Sequence, residues 1–118
     1  MNDMKLIVKL ISLIRNAEKT GKFYPAYFSP EALGCSKTEI DSMAIKLQDE
    51  GIVEGLITTE DIDNATLTVL WGVSHPTVTI KGITFAAENS AYNKAVDALK
   101  ETAASGAKAA IQSLLFGA

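Results

Sequence analysis

Ser36-Lys37-Thr38-Glu39-Ile40-Asp41-Ser42-Met43-Ala44-Ile45-Lys46-Leu47-Gln48-Asp49-Glu50-Gly51 is the stretch on which the fold turns. Its first four residues have the spacing of a capping box, in which a hydroxyl and a carboxylate each satisfy a free amide at a helix start. Ile40, Met43, Ala44 and Leu47 then recur at helical spacing, and Gly51 is placed to end the helix in a left-handed conformation. Just upstream, Ser29-Pro30-Glu31 opens a shorter helix, with Ser29 as N-cap and Pro30 at the first helical position, that stops at Gly34. Two short helices separated by Gly34-Cys35-Ser36 form a helix-turn-helix pattern.

Working downstream, Ile52–Ile57 reads as a strand and Thr58–Asn64 as a polar connection. Ala65–Trp71 alternates strictly and reads as the return strand, with Leu67, Val69 and Trp71 on one face and Thr66, Thr68 and Leu70 on the other. A hairpin after a helix-turn-helix is the wing of a winged helix. Pro76 stops any continuing strand. Thr79 caps a helix from about Ile80 to Glu88, and Ser90 caps a last helix. The predicted fold class is α+β: a winged helix-turn-helix (helix, helix-turn-helix, two-stranded wing) with one or two added C-terminal helices. Residues 1–89 form the winged-helix domain in this reading, and residues 90–118 the C-terminal helix.

Working upstream, the first helix is predicted over Asp3–Lys19. Its polar stripe is Lys5, Lys9, Ser12, Asn16 and Lys19, and nearly everything else on it is apolar. A helix covering one side of a small domain needs an apolar stripe of only about 100°. This one calls for cover from two sides. The last helix carries a matching stripe, so the two suggest each other as partners within one chain or across a dimer. A homodimer is expected, with Leu6, Leu10, Leu13, Val96, Leu99, Ala103, Ala107, Ile111 and Leu114 as its interface. Phe23, Tyr24, Tyr27 and Phe28 form an aromatic connector expected to pack onto the core.

The chain has 118 residues, enough for one domain with one core, and 47% of them are hydrophobic, which excludes global disorder. A single Cys, Cys35, rules out an intrachain disulfide. A single His, His75, removes most His-based metal sites. No nucleophile–base set or ligand cluster is visible, so neither an enzyme nor a cofactor is expected. Glu60, Asp61 and Asp63 lack the glycine and terminal glutamate of a calcium loop and read as a solvated wing tip. No apolar run approaches the roughly 18 residues of a membrane span. Lys9 interrupts the N-terminal apolar run and no small-x-small cleavage site follows it, so a cytoplasmic protein with no membrane contact is expected.

Segment charges decide what a winged helix here can bind. Residues 1–28 carry five basic and two acidic side chains, residues 29–63 two basic and nine acidic, and residues 64–118 four basic and three acidic. A winged helix that binds DNA places its second helix in the major groove and its wing near the backbone. The candidate nucleic-acid contacts are Ser36, Lys37, Thr38, Asp41, Ser42 and Lys46. No Arg is among them, so the bidentate guanine contact is missing there. The acidic excess falls on the elements that would face DNA. The alternative is a protein-interaction or adaptor module whose acidic recognition face does not bind DNA.

Pro76-Thr77-Val78-Thr79-Ile80-Lys81-Gly82-Ile83, then Glu88-Asn89-Ser90 and Lys94-Ala95, resemble the C-terminal signature of the YjcQ-like winged-helix proteins. The turn Ser29–Gly34 and the passage Leu47–Gly55 into the wing are similar as well. These are small proteins of Gram-positive bacteria and their phages. The resemblance implies a winged-helix domain, a nucleic-acid-binding or transcription-regulator-like role, and no established reaction. The motifs are caps and turns, specific for fold rather than for function. The chain departs from the pattern in its Ala-rich, weakly charged stretch from Thr102 to Ala110.

Overall fold

A computed structural model describes residues 3–63 and 65–101. Helix α1 spans Asp3–Thr20, and a short 3-10 turn, Pro25–Phe28, leads to α2, Pro30–Leu33. Helix α3 spans Lys37–Asp49. Strands β1 (Val53–Glu54), β2 (Thr58–Asp61), β3 (Thr66–Val69) and β4 (Thr77–Val78) follow, and then α4 (Ile80–Glu88) and α5 (Ser90–Glu101). Helices, an antiparallel ribbon β2–β3 and two closing helices make this an α+β winged helix.

Helix α1 is the centre of the core. Leu6, Val8, Leu10, Ile11, Leu13 and Ile14 are all buried. Helices α3 and α5 and strand β4 pack on it, and α5 contributes Tyr92, Ala95 and Leu99 to the same core. The cover on two sides that its composition demands is therefore supplied within one chain. This corrects the expected interface: Leu6, Leu10, Leu13 and Leu99 are sealed inside the monomer and present no surface to a second copy. Val96 is half-buried against that core. Ala103, Ala107, Ile111 and Leu114 lie outside the described residues. Lys9 also departs from its expected place on a solvated stripe. It is buried, with its ammonium 3.5 Å from the Leu33 carbonyl, so its long stem packs as an apolar side chain does.

The helix ends follow local chemistry. Ser29 Oγ accepts from the Ala32 amide at 3.3 Å. Ser36 Oγ accepts from the Glu39 amide at 3.1 Å and donates to Glu39 Oε1 at 3.2 Å, so the cap forms as expected while the carboxylate meets the hydroxyl. At the far end of α3, Gly51 has φ +77°. The Ile52 amide reaches back to the Leu47 carbonyl and the Gly51 amide to Gln48, a Schellman closure that turns the chain sharply toward β1. Thr79 Oγ1 accepts from the Gly82 amide at 3.0 Å, as a cap for α4 should. Helix α5 is capped by Asn89, whose Oδ1 accepts from the Tyr92 amide at 2.9 Å. Ser90, the expected cap, is the first residue of the helix itself.

The strands are displaced from their expected places. Val53–Glu54 does not form the wing; it pairs antiparallel with β4, matching Val53 to Val78 and Glu54 to Thr77. Strand β4 begins directly after Pro76, where the missing amide costs the ladder nothing. The wing is built instead from Thr58–Asp61, the supposed polar connection, paired with Thr66–Val69. Two β-branched threonines suit an exposed ribbon better than polarity alone suggests. The break between β1 and β2 falls at Gly55, which has φ +89°.

Candidate interaction site

Asp41 joins α3 to the wing. Its carboxylate is 1% exposed. Oδ1 accepts from the Trp71 indole N–H at 2.9 Å, and Oδ2 accepts from the Val69 amide at 3.1 Å. Lys37, one turn back on α3, places its ammonium 2.6 Å from Oδ2. Asp41 was expected to face a nucleic acid. It cannot do so, because its lone pairs are held by α3 and β3 inside the molecule. Its position explains this: Asp41 adjoins Ile40 and lies three residues before Ala44, at the margin of the buried stripe. A buried indole N–H and an outward-pointing edge amide both need an acceptor there.

The remaining candidates lie on the outward side of α3. Ser36 is engaged in capping α3 and in a hydrogen bond to Glu39. Lys37 keeps 57% of its side chain exposed but is paired to Asp41. Thr38, Ser42 and Lys46 are exposed and line a shallow cleft of about 200 Å³ together with Asp3, Leu6, Glu39 and Met43. That cleft brings one ammonium together with two carboxylates, a mixed surface for a phosphate backbone.

The wing base is tightly held. Trp71 stacks on Phe28 with centroids 4.3 Å apart and planes 13° apart, and Phe28 stacks on Phe23 at 5.2 Å. Ser74 is buried; its Oγ accepts from the Ile57 amide at 2.9 Å and donates to the Leu70 carbonyl at 2.8 Å. Gln48 Oε1 accepts from the Leu56 amide at 2.9 Å. Beyond this base the wing changes character. Ile57, Leu67, Leu70 and Val73 are 41–53% exposed, and Ile62 at the tip is 88% exposed. An open apolar groove of about 430 Å³ runs beside Lys37 along Thr68–Val73. Glu54, Glu60 and Asp63 are exposed, and the sequence holds no Lys or Arg between Lys46 and Lys81.

Sequence reasoning missed the exposed apolar residues of the wing and the roles of Asp41, Gln48 and Ser74. The signal for Asp41 was an acid at the edge of an apolar helix stripe with a strand Trp downstream. For Ser74 no comparable signal exists. Cys35 is half-buried, and burial, reinforced by Glu39 and opposed by Lys9, pushes its thiol up, so it is protonated at neutral pH. Burial likewise raises Tyr92, against a hydrogen bond from Ser12 and the charge of Arg15. No helix among the described residues is long and apolar enough to cross a membrane.

A family model described as YjcQ protein matches residues 8–103. The chain belongs to the YjcQ family. The YjcQ match runs from the core of α1 to beyond the end of α5, so the Asp41 junction and the whole wing lie within it. No match is found among the curated proteins or among the solved structures.

Proposed function

We propose that this YjcQ-family chain is a small, non-enzymatic winged-helix module that binds a protein partner through its wing, rather than DNA through α3. The observation that carries this reading is the composition of the exposed wing. Phosphate neutralisation by Lys and Arg supplies most of the affinity of a DNA-binding domain. Here the ribbon offers carboxylates and exposed apolar side chains and has no base. Helix α3 presents Lys37 and Lys46, but Lys37 is paired and Lys46 shares its cleft with Asp3 and Glu39. An exposed apolar patch rimmed by polar groups is the usual mark of a protein contact. Cys35, held as a thiol, and His75, exposed on a loop, add no reactive pair.

The test is fluorescence anisotropy with a random-sequence DNA duplex of about 20 base pairs at about 50 mM salt, conditions that favour electrostatic binding. No saturation is expected up to tens of micromolar protein, on the order of the weaker non-specific affinities. Sub-micromolar binding that Lys46→Glu abolishes would overturn the reading in favour of a DNA-binding regulator.

A further inference from the structure

The register of the wing identifies which backbone groups face outward. In an antiparallel ribbon, hydrogen-bonded and non-hydrogen-bonded pairs alternate. The Leu70 amide donates to the Ile57 carbonyl at 2.8 Å, so those two residues face each other at a hydrogen-bonding position of the ribbon, with the Ile57 amide taken by Ser74 Oγ. Following the register, Thr59–Thr68 and Asp61–Thr66 are also hydrogen-bonded pairs, while Thr58, Glu60, Leu67 and Val69 turn their backbone groups away from the ribbon. On the β3 side, the outward amide of Val69 is taken by Asp41. On the β2 side no further strand pairs with Thr58–Asp61 among the described residues, and Thr58, Thr59 and Glu60 are exposed. One edge of the wing is thus closed at its base by a carboxylate, and the other is an open template.

We propose that β2 accepts an extended segment of the protein partner as a third strand, and that this segment carries basic and apolar side chains. The proposal rests on the protein-binding reading above and names its mode. Strand addition draws affinity from main-chain hydrogen bonds and specificity from alternate side chains. Ile57 and its partner Leu70 lie on one face with Thr59, and Glu60 lies on the other beside its own partner Leu67; Ile57, Leu70 and Leu67 are all about half exposed. A partner strand beside β2 therefore meets exposed apolar side chains on both faces and, on one of them, the Glu60 carboxylate. The wing has no base of its own to neutralise that charge. A second copy of this chain pairing through β2 brings a second Glu60 to the same edge, and like charges at adjacent strand positions are destabilising. The occupant is accordingly a different, basic chain.

The experiment uses the full chain, isotope-labelled, titrated with a short peptide of alternating Lys and Val. A Glu–Val peptide, the Lys–Val peptide N-methylated at alternate amides, and the duplex DNA are run in parallel. The expected result is binding by the Lys–Val peptide with a Kd of roughly 10–500 µM, in the range of a weak motif contact. The Thr58 and Glu60 amides shift and become protected from exchange. The N-methylated and acidic peptides lose binding, and Glu60→Lys weakens it by about tenfold or more. Three results overturn the proposal. If the Lys–Val peptide fails to bind at about 1 mM, the edge is merely a charged guard against aggregation. If the N-methylated peptide binds equally and the shifts fall on Val73 without edge protection, strand addition is wrong and the protein-binding reading stands. If only the duplex saturates, that reading fails as well.

Discussion

The two carboxylates Asp41 and Glu60 stand at opposite ends of the same device. Asp41 is buried, and its oxygens are held by an indole, an amide and an ammonium. Glu60 is exposed on an edge strand with outward backbone groups beside it. Chemically identical charges have acquired different functions through burial alone. The first welds α3 to the wing base and is lost to any ligand. The second gives the distal wing a sign that polyanions avoid. Along β3 the contrast falls between Val69, which is buried, and Leu67, which is half exposed.

The largest expected effect lies on the Asp41 side. Asp41→Ala strands a buried indole and an edge amide and should cost about 3 kcal/mol in urea unfolding. Lys37→Met, removing the half-exposed partner of the same carboxylate, should cost no more than about 1 kcal/mol. Equal losses for the two would break the comparison. Next comes Gly82→Ala. A Cβ there would sit 2.3 Å from the Ile52 carbonyl oxygen and 2.6 Å from Val78 Cγ1. Moving backbone to relieve this should cost about 2 kcal/mol by the same measurement. A smaller effect is expected from pH. Burial raises Tyr92 above its ordinary value of 10.0, so the unfolded chain releases that proton first. Stability should therefore be fully present below pH 10.0 and fall as pH rises through the native value. Tyr92→Phe should flatten that alkaline slope in melts taken across the range. The smallest effect belongs to the wing tip: Ile62→Ser and Leu67→Ser should each stay within about 0.5 kcal/mol of the parent. A larger loss would mean that the exposed apolar side chains serve folding rather than contact.

Much of this architecture was legible because it is local. Caps at Ser29, Ser36 and Thr79 and the terminator Gly51 act within a few residues of themselves, and each lies where the sequence puts it. The wing strands were misplaced because Thr58–Asp61 is polar and Ile52–Ile57 apolar, whereas pairing depends on what lies across the ribbon. Strand β4 was hidden behind Pro76 because a two-residue strand has no periodicity to detect. The site was less legible still. Thr38, Ser42 and Lys46 do lie exposed on α3, but Asp41 was misassigned because its partners, Val69 and Trp71, lie about thirty residues away in sequence. The supposed interface on Leu6, Leu10, Leu13 and Leu99 failed for a related reason. Composition says that a helix needs cover on two sides, and only tertiary structure says that α5 of the same chain provides it.

In the proposed reading, the charge of the outer wing rather than the lack of a helix that could enter the groove keeps this winged helix off DNA. Anisotropy with a duplex at low salt, comparing the wild-type chain with a Glu60→Lys/Asp63→Lys variant, tests it most directly. No saturable binding is expected for the wild type, and a gain of about tenfold or more in apparent affinity for the variant, with a salt dependence that grows with the added bases. Tight wild-type binding that the two reversals leave unchanged would contradict it.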